Sequence, residues 1–214
     1  MKKYLVLGVL FILPITAYVF FASGVNNFGK LPVITPEVHE LSNFTTLDGS
    51  PLQFKEHISV LGFFGSNPET SKANAFNLTH KIYKKNRQFA DFQFVILVPK
   101  GTEEAAFALK EKLNEIEDAK NWRFAFGTPQ AINQVFVSLK TNLTLDQTQA
   151  TPFVFIIDKE GSLRGRDEDE DVGILYGFDA RSIAEINNKM SDDIKVVLAE
   201  YRLELKKYKS KREI

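Results

Sequence analysis

The 214 residues predict an α/β three-layer sandwich with a mixed sheet, preceded by one N-terminal transmembrane helix. Three observations predict it. Tyr4 to Ser23 is uncharged and mostly apolar. After it, apolar runs rich in β-branched and aromatic residues alternate with segments of helical periodicity, the order of an α/β unit. The last two runs are joined only by Asp158-Lys-Glu-Gly161, so their strands must be antiparallel, whereas earlier strands are separated by helices. The chain divides into an anchor (4–23), a linker (24–36) and one domain (37–214).

Composition narrows the function classes. Lys+Arg and Asp+Glu balance at 27 each, so no global field draws the protein to nucleic acid. Cysteine is absent, which excludes disulfides, thiolate-bound metal, iron–sulfur clusters and every thiol mechanism. Stability then falls to the core, which 19 Phe are able to fill.

Met1-Lys2-Lys3 precedes the apolar segment, whose length suits a hydrocarbon core about 30 Å thick. Lysines before it and none just after place the amino terminus in the cytoplasm and the domain on the periplasmic or outer side. A cleaved signal peptide is the alternative, but its apolar region is usually about 7–15 residues. Residues 24–36 are rich in Gly, Asn and Pro, as a linker or extended arm would be. Asp48-Gly49 between two short alternating segments predicts a hairpin over 44–54. About Val60 to Phe64 reads as the first core strand; Gly65-Ser-Asn-Pro68 then turns into a helix from near Pro68 or Glu69 to about Arg87, with Ala73, Phe76, Leu78, Ile82 and Tyr83 inward. Phe92–Val98 is the next strand, and a helix capped by Thr102 runs to Ile116. Trp122–Phe126 alternates as a strand, followed by a helix from Gln130 to Leu139 behind Pro129. Phe153–Ile157 and Ser162–Arg166 form the late hairpin. Ala180 to about Lys209 is one long helix, or two joined near a capping Ser191.

The hairpin, the strand ending Gly62-Phe-Phe-Gly-Ser66, the helix after it and the late Thr151-Pro-Phe-Val-Phe-Ile-Ile-Asp-Lys-Glu-Gly161 unit together resemble thioredoxin-like proteins, most closely the membrane-anchored Sco/SenC family. The likeness covers about residues 40–200 and the anchor. It implies a copper site of two cysteines at the start of the helix and a distal histidine before the later strand, serving assembly of a haem-copper oxidase. In this chain the cysteine positions fall on Asn67 and Ser71, and the histidine position falls near Ala150. Soft copper therefore has no thiolate or imidazole there. Thr151-Pro152 takes the place of the cis-proline that faces the loop in such folds; an ordinary trans proline at a strand start is the alternative.

Other motifs lead to bland readings. His39, His57 and His80 show no ligand spacing. Asp167-Glu-Asp169-Glu-Asp171 alternates like a calcium loop, but Val172 and Phe178 stand where Gly and a bidentate Glu belong, so a solvated acidic loop is expected. No Gly-x-Ser-x-Gly elbow supports a hydrolase. Three Asn-x-Thr triplets, at Asn43, Asn77 and Asn142, are at chance level. The basic end, Lys206 to Arg212, suits dipole complementation or contact with anionic headgroups. The expected function is a non-catalytic, membrane-anchored accessory without cofactor or metal, not an enzyme. It would bind a protein partner, with oxidase subunits as the family's example, through Asn67, Pro68, Glu69, Ser71, Thr151 and Pro152. The rival reading is copper delivery or thiol redox work through unrecognised ligands.

Overall fold

A computed structural model describes residues 2–23 and 29–212, with some side chains of the first and last helices outside the described set. Helix α1 (Lys2–Ser23) holds Pro14 and exposes Leu10, Phe11, Ile12, Leu13 and Ile15. Among the described residues, no helix is long and apolar enough to cross a membrane. Residues 24–28 of the predicted linker lie outside the described residues, and the rest is an arm laid on the domain, with Leu31 buried and Val33–Thr35 forming strand β1.

An eight-stranded mixed sheet forms the middle layer. Its strands are β1, β2 (Thr45–Thr46), β3 (Ile58–Phe64), β4 (Phe92–Pro99), β5 (Trp122–Gly127), β6 (Ala150–Ile157), β7 (Leu163–Arg164) and, further along the chain, β10 (Phe178–Asp179). The order is β1-β7-β6-β3-β4-β5-β2, and β10 pairs the first half of β6. Among the described residues, only β3–β4 and β4–β5 are parallel. Helices join those strands, and such crossovers bury both sheet faces. Alternate residues therefore feed two cores. Val60, Phe94, Ile96, Phe124 and Ile156 enter one; Leu61, Phe63, Val95, Leu97 and Phe155 enter the other.

Helix α2 spans residues 68–86 and is not uniform: a 3₁₀ turn (Pro68–Ser71), an α segment (Lys72–Leu78), a π segment (Thr79–Tyr83) and a final α turn (Lys84–Asn86). Its inner face uses Ala75 where Ala73 was expected; Ala73 is exposed. Helix α3 (Glu103–Asn114) packs on the same side, and α4 (Pro129–Ser138) covers the other face with Ile132, Val135 and Phe136. Thr128 caps α4 by accepting from Ala131 N. Thr102 does not cap α3, because its hydroxyl instead donates to Pro99 O at 2.7 Å. Helix α5 covers residues 183–212 as Ile183–Glu185, a π segment Ile186–Met190 and Ser191–Arg212. It is one helix. Ser191 has helical dihedrals inside it, and the cap is Ser182, which accepts from Glu185 N.

Two expectations fail locally. The predicted hairpin over 44–54 is a turn: Gly49 sits at φ +70°, Thr46 Oγ1 donates to Ser50 O, and β2 pairs with β5 instead. The side-chain bonds of Thr46 and Asp48 hold this turn without a returning strand. The acidic run is a hairpin, not an open loop: β8 (Arg166–Asp169) pairs with β9 (Gly173–Leu175).

Candidate functional site

The C-terminal end of β3 gathers the predicted residues. Phe64 pairs with Ala150 and Phe63 with Thr151, so β6 runs directly beside the end of β3. Gly65 follows at φ +68°, where a Cβ would lie 2.7 Å from Thr148 O and 2.8 Å from the Ala150 Cβ. Only glycine fits that approach. Ser66 N then donates to Thr148 O at 2.9 Å, tying the loop to the segment before β6.

Asn67 is exposed, and its carbonyl accepts from Thr70 N at 3.1 Å and Thr70 Oγ1 at 2.8 Å. Pro68 is buried at the first position of the 3₁₀ turn, where a missing N–H costs nothing. Glu69 turns outward to α3: Lys112 Nζ donates to it at 2.6 Å, with Lys72 at 3.6 Å. The hydrogen bond from Lys112 holds its carboxyl below the ordinary value. Ser71 and Thr151 are both buried, Thr151 opposite Phe63. Pro152 is half-buried, and its carbonyl accepts from Ala180 N at 2.9 Å. The expected cis bond before Pro152 is corrected, since no described peptide bond is cis. Thr151 and Pro152 lie within β6, and an irregularity in the β3–β6 register between Leu61 and Phe63 takes up the local mismatch.

Asp146 builds the facing wall. Its Oδ1 accepts from Thr148 N at 2.8 Å, Thr148 Oγ1 at 2.7 Å and Ala150 N at 2.9 Å. These bonds, that of the Thr148 hydroxyl foremost, lower its pKa. Sequence reasoning missed Asp146 and Thr148, although Asp-x-Thr ahead of a strand is a side-chain turn signal.

The chemistry available at this face is hydrogen bonding and shape. The positions at which the family resemblance implied copper ligands hold Asn67, buried Ser71 and Ala150. His57 lies at the opposite end of β3, and His39 and His80 are exposed elsewhere. Among the described residues no three His, Cys, Asp or Glu side chains are grouped to hold a metal ion. In the acidic hairpin, Asp169 and Asp171 instead bind Lys189 Nζ, at 2.7 Å and 2.6 Å.

A mixed sheet between helices, with a loop-to-helix turn at the end of its central parallel strand, defines a thioredoxin-like fold. Solved structures share that fold, a Sco protein among them. BsSco, a member of the Sco family of cytochrome c oxidase assembly proteins, superposes with a TM-score of 0.54 over 79% of this chain and 98% of its own, at 14% identity. A proposed protein disulfide isomerase from Bacteroides thetaiotaomicron gives 0.51 over 80% and 95%, at 15% identity. A proposed electron transfer protein from Aquifex aeolicus gives 0.51 over 78% and 98%, at 14% identity. No family profile and no curated protein matches the sequence.

Proposed function

We propose that the chain is a membrane-tethered, non-catalytic module that recognises a protein partner with the face formed by Ser66–Ser71 and Thr151–Pro152. One observation carries the reading. The loop is built as a fixed surface, through Gly65 against Thr148 and the Asp146 turn, while the positions that would do chemistry hold Asn67, Ser71 and Ala150. A preorganised loop loses little conformational entropy on binding, which favours recognition. The Sco-like fold supports a place in respiratory oxidase biogenesis, the process named for BsSco.

Tyr4 to Ser23 acts as the anchor in this proposal: it is helical within α1 and carries no Asp, Glu, Lys or Arg. Lys2 and Lys3 keep the amino terminus cytoplasmic, so the domain works on the outer side. Lys30 lines a cleft with Glu160, Ser162 and Tyr201, near the start of β3, and the recognition face lies at the far end of that strand. At about 3.3 Å per residue, the seven residues of β3 carry it about 20 Å away from the arm.

The test is cross-linking of the full chain in native membranes, with Asn67→Arg as the probe. Asn67 is exposed and its side chain is outside the core, so the variant should fold with an unchanged Tm. Partner recovery should fall about tenfold or more, as at a binding hot spot. Undiminished recovery, or tight stoichiometric copper binding by the wild type, counts against the proposal.

A further inference from the structure

We propose that the C-terminal end of α5, which carries Lys206, Lys207, Lys209, Lys211 and Arg212, lies on the anionic headgroups of the bilayer that holds α1. This inference rests on the anchor reading above.

Helix α5 has a defined direction across the sheet. Asp193, early in it, receives Arg166 Nη2 at 2.9 Å beside the β8–β9 hairpin. Glu200 meets Arg164 Nη2 at 2.8 Å. One residue on, Tyr201 and Arg202 line a cleft with Ile58, Asp91 and Phe92, the starts of β3 and β4. The helix thus runs toward the end of the domain opposite the recognition face, and Arg202 is the last of its residues to line that cleft. Ten more residues continue as helix to Arg212, about 15 Å at 1.5 Å per residue.

The tether enters at the same place. Leu31 N donates to Glu200 Oε1 at 2.9 Å, and Lys30 shares a cleft of about 390 Å³ with Glu200 and Tyr201. From Ser23 to Lys30 the chain spans at most about 25 Å, at about 3.3–3.6 Å per residue. The anchor's exit and the basic end of α5 therefore start from adjacent points, and the maximum span of the tether, about 25 Å, exceeds the roughly 15 Å that the helix end extends.

Charge supplies the occupant. The chain as a whole is neutral, yet residues 203–214 carry five basic residues against Glu204 and Glu213. Clustered Lys and Arg are drawn to any leaflet that carries anionic headgroups, here the outer-side leaflet that the domain faces, over a range of about 8 Å at physiological salt. A helix C-terminus is partially negative, so basic residues in its last turns also favour the helix itself.

The test uses the full chain in vesicles of phosphatidylcholine alone or with 30% phosphatidylglycerol. The absence of native cysteine allows a single fluorophore at Ser210→Cys, with Ser66→Cys on the recognition face as control. Flotation reports the anchor, and quenching by headgroup-labelled lipid reports the helix end. The expected result is flotation with both vesicles, and quenching at 210 at least threefold stronger with phosphatidylglycerol. That excess should vanish in 0.5 M salt and in the variant Lys206→Gln, Lys207→Gln, Lys209→Gln, Lys211→Gln, Arg212→Gln, while position 66 stays unquenched throughout. Flotation with both vesicles and equal quenching at 210 overturns the headgroup contact and leaves the anchor standing. Flotation only with phosphatidylglycerol overturns the anchor and supports the contact. Flotation with neither overturns both.

Discussion

At the scale of single residues, the candidate site depends on groups outside the loop and strand that form its face. Asp146 is the clearest, because its carboxylate organises the segment on which Gly65 and Ser66 rest. Its pKa is lowered in the folded chain, so its contribution is full above the unfolded value of about 3.9 and is lost as pH falls through the folded one. Asp146→Ala should cost about 0.5–1 kcal/mol, near the low end for a lost cap because the group is exposed. The Tm gap between wild type and variant should be constant above about pH 5 and close below about pH 4. A gap that persists unchanged to pH 2 would show that the charge is not what holds the turn. Asp193 has the opposite sign: burial raises its pKa despite the facing Arg166. Its ionised form is held in place at some cost at neutral pH, a cost relieved as pH falls through the raised value.

At the scale of elements, β3 to β6 and the helices between them were legible because β3, β4 and β6 hold long apolar stretches, β5 alternates and each helix has a periodic face. What was not legible is held by side chains distant in sequence. The acidic hairpin exists because Arg166 and Lys189 neutralise Asp169, Asp171 and Asp193, and no local pattern announces such partners. Strand β10 is two residues long and is defined only by its pairing with Val154 and Phe153. At the site, the loop and the facing β6 residues could be placed by their order. The trans geometry at Pro152 could not, since dipeptide preferences leave both isomers open.

The π segments are a further surprise with a testable side. An i→i+5 turn holds one residue more than an α turn. Removing one residue from Ile186–Met190 should therefore restore plain α-helix and leave Ile194 and Val197 facing the core. Deleting Lys195 instead should turn everything after it by about 100° and pull Glu200 from Arg164. Deletion of exposed Asn188 is expected to lower Tm by a few degrees, against loss of about 3 kcal/mol or more for the Lys195 deletion, measured by urea unfolding. Equal damage from the two would mean that the π segment is needed in its own right.

At the scale of the whole molecule, the arm, the late hairpin and α5 are joined at one buried charge. Arg164 donates to Asp158 at 3.1 Å, to Glu200 and to Leu31 O, and its side chain is 6% exposed. Glu200→Gln keeps the shape but removes a charge that faces Arg164 and Leu31 N. Trypsin should then cut after Lys30 about tenfold faster, while cleavage after exposed Arg181 stays constant as the control. An unchanged rate at Lys30 would mean that β1 pairing alone holds the arm.

That join also fixes the path of mechanical load. Tension on the amino-terminal helix would reach the domain through residues 29–35, which are held by two ladder positions on β7, by the bonds of Pro32 O with Gly165 N and of the Thr35 hydroxyl with Leu139 O, and by the Arg164–Glu200 clasp. These are fewer and weaker attachments than those of the central strands. A pull should peel the arm before it disturbs the core, releasing about 25 Å of chain with the folded domain intact at its end.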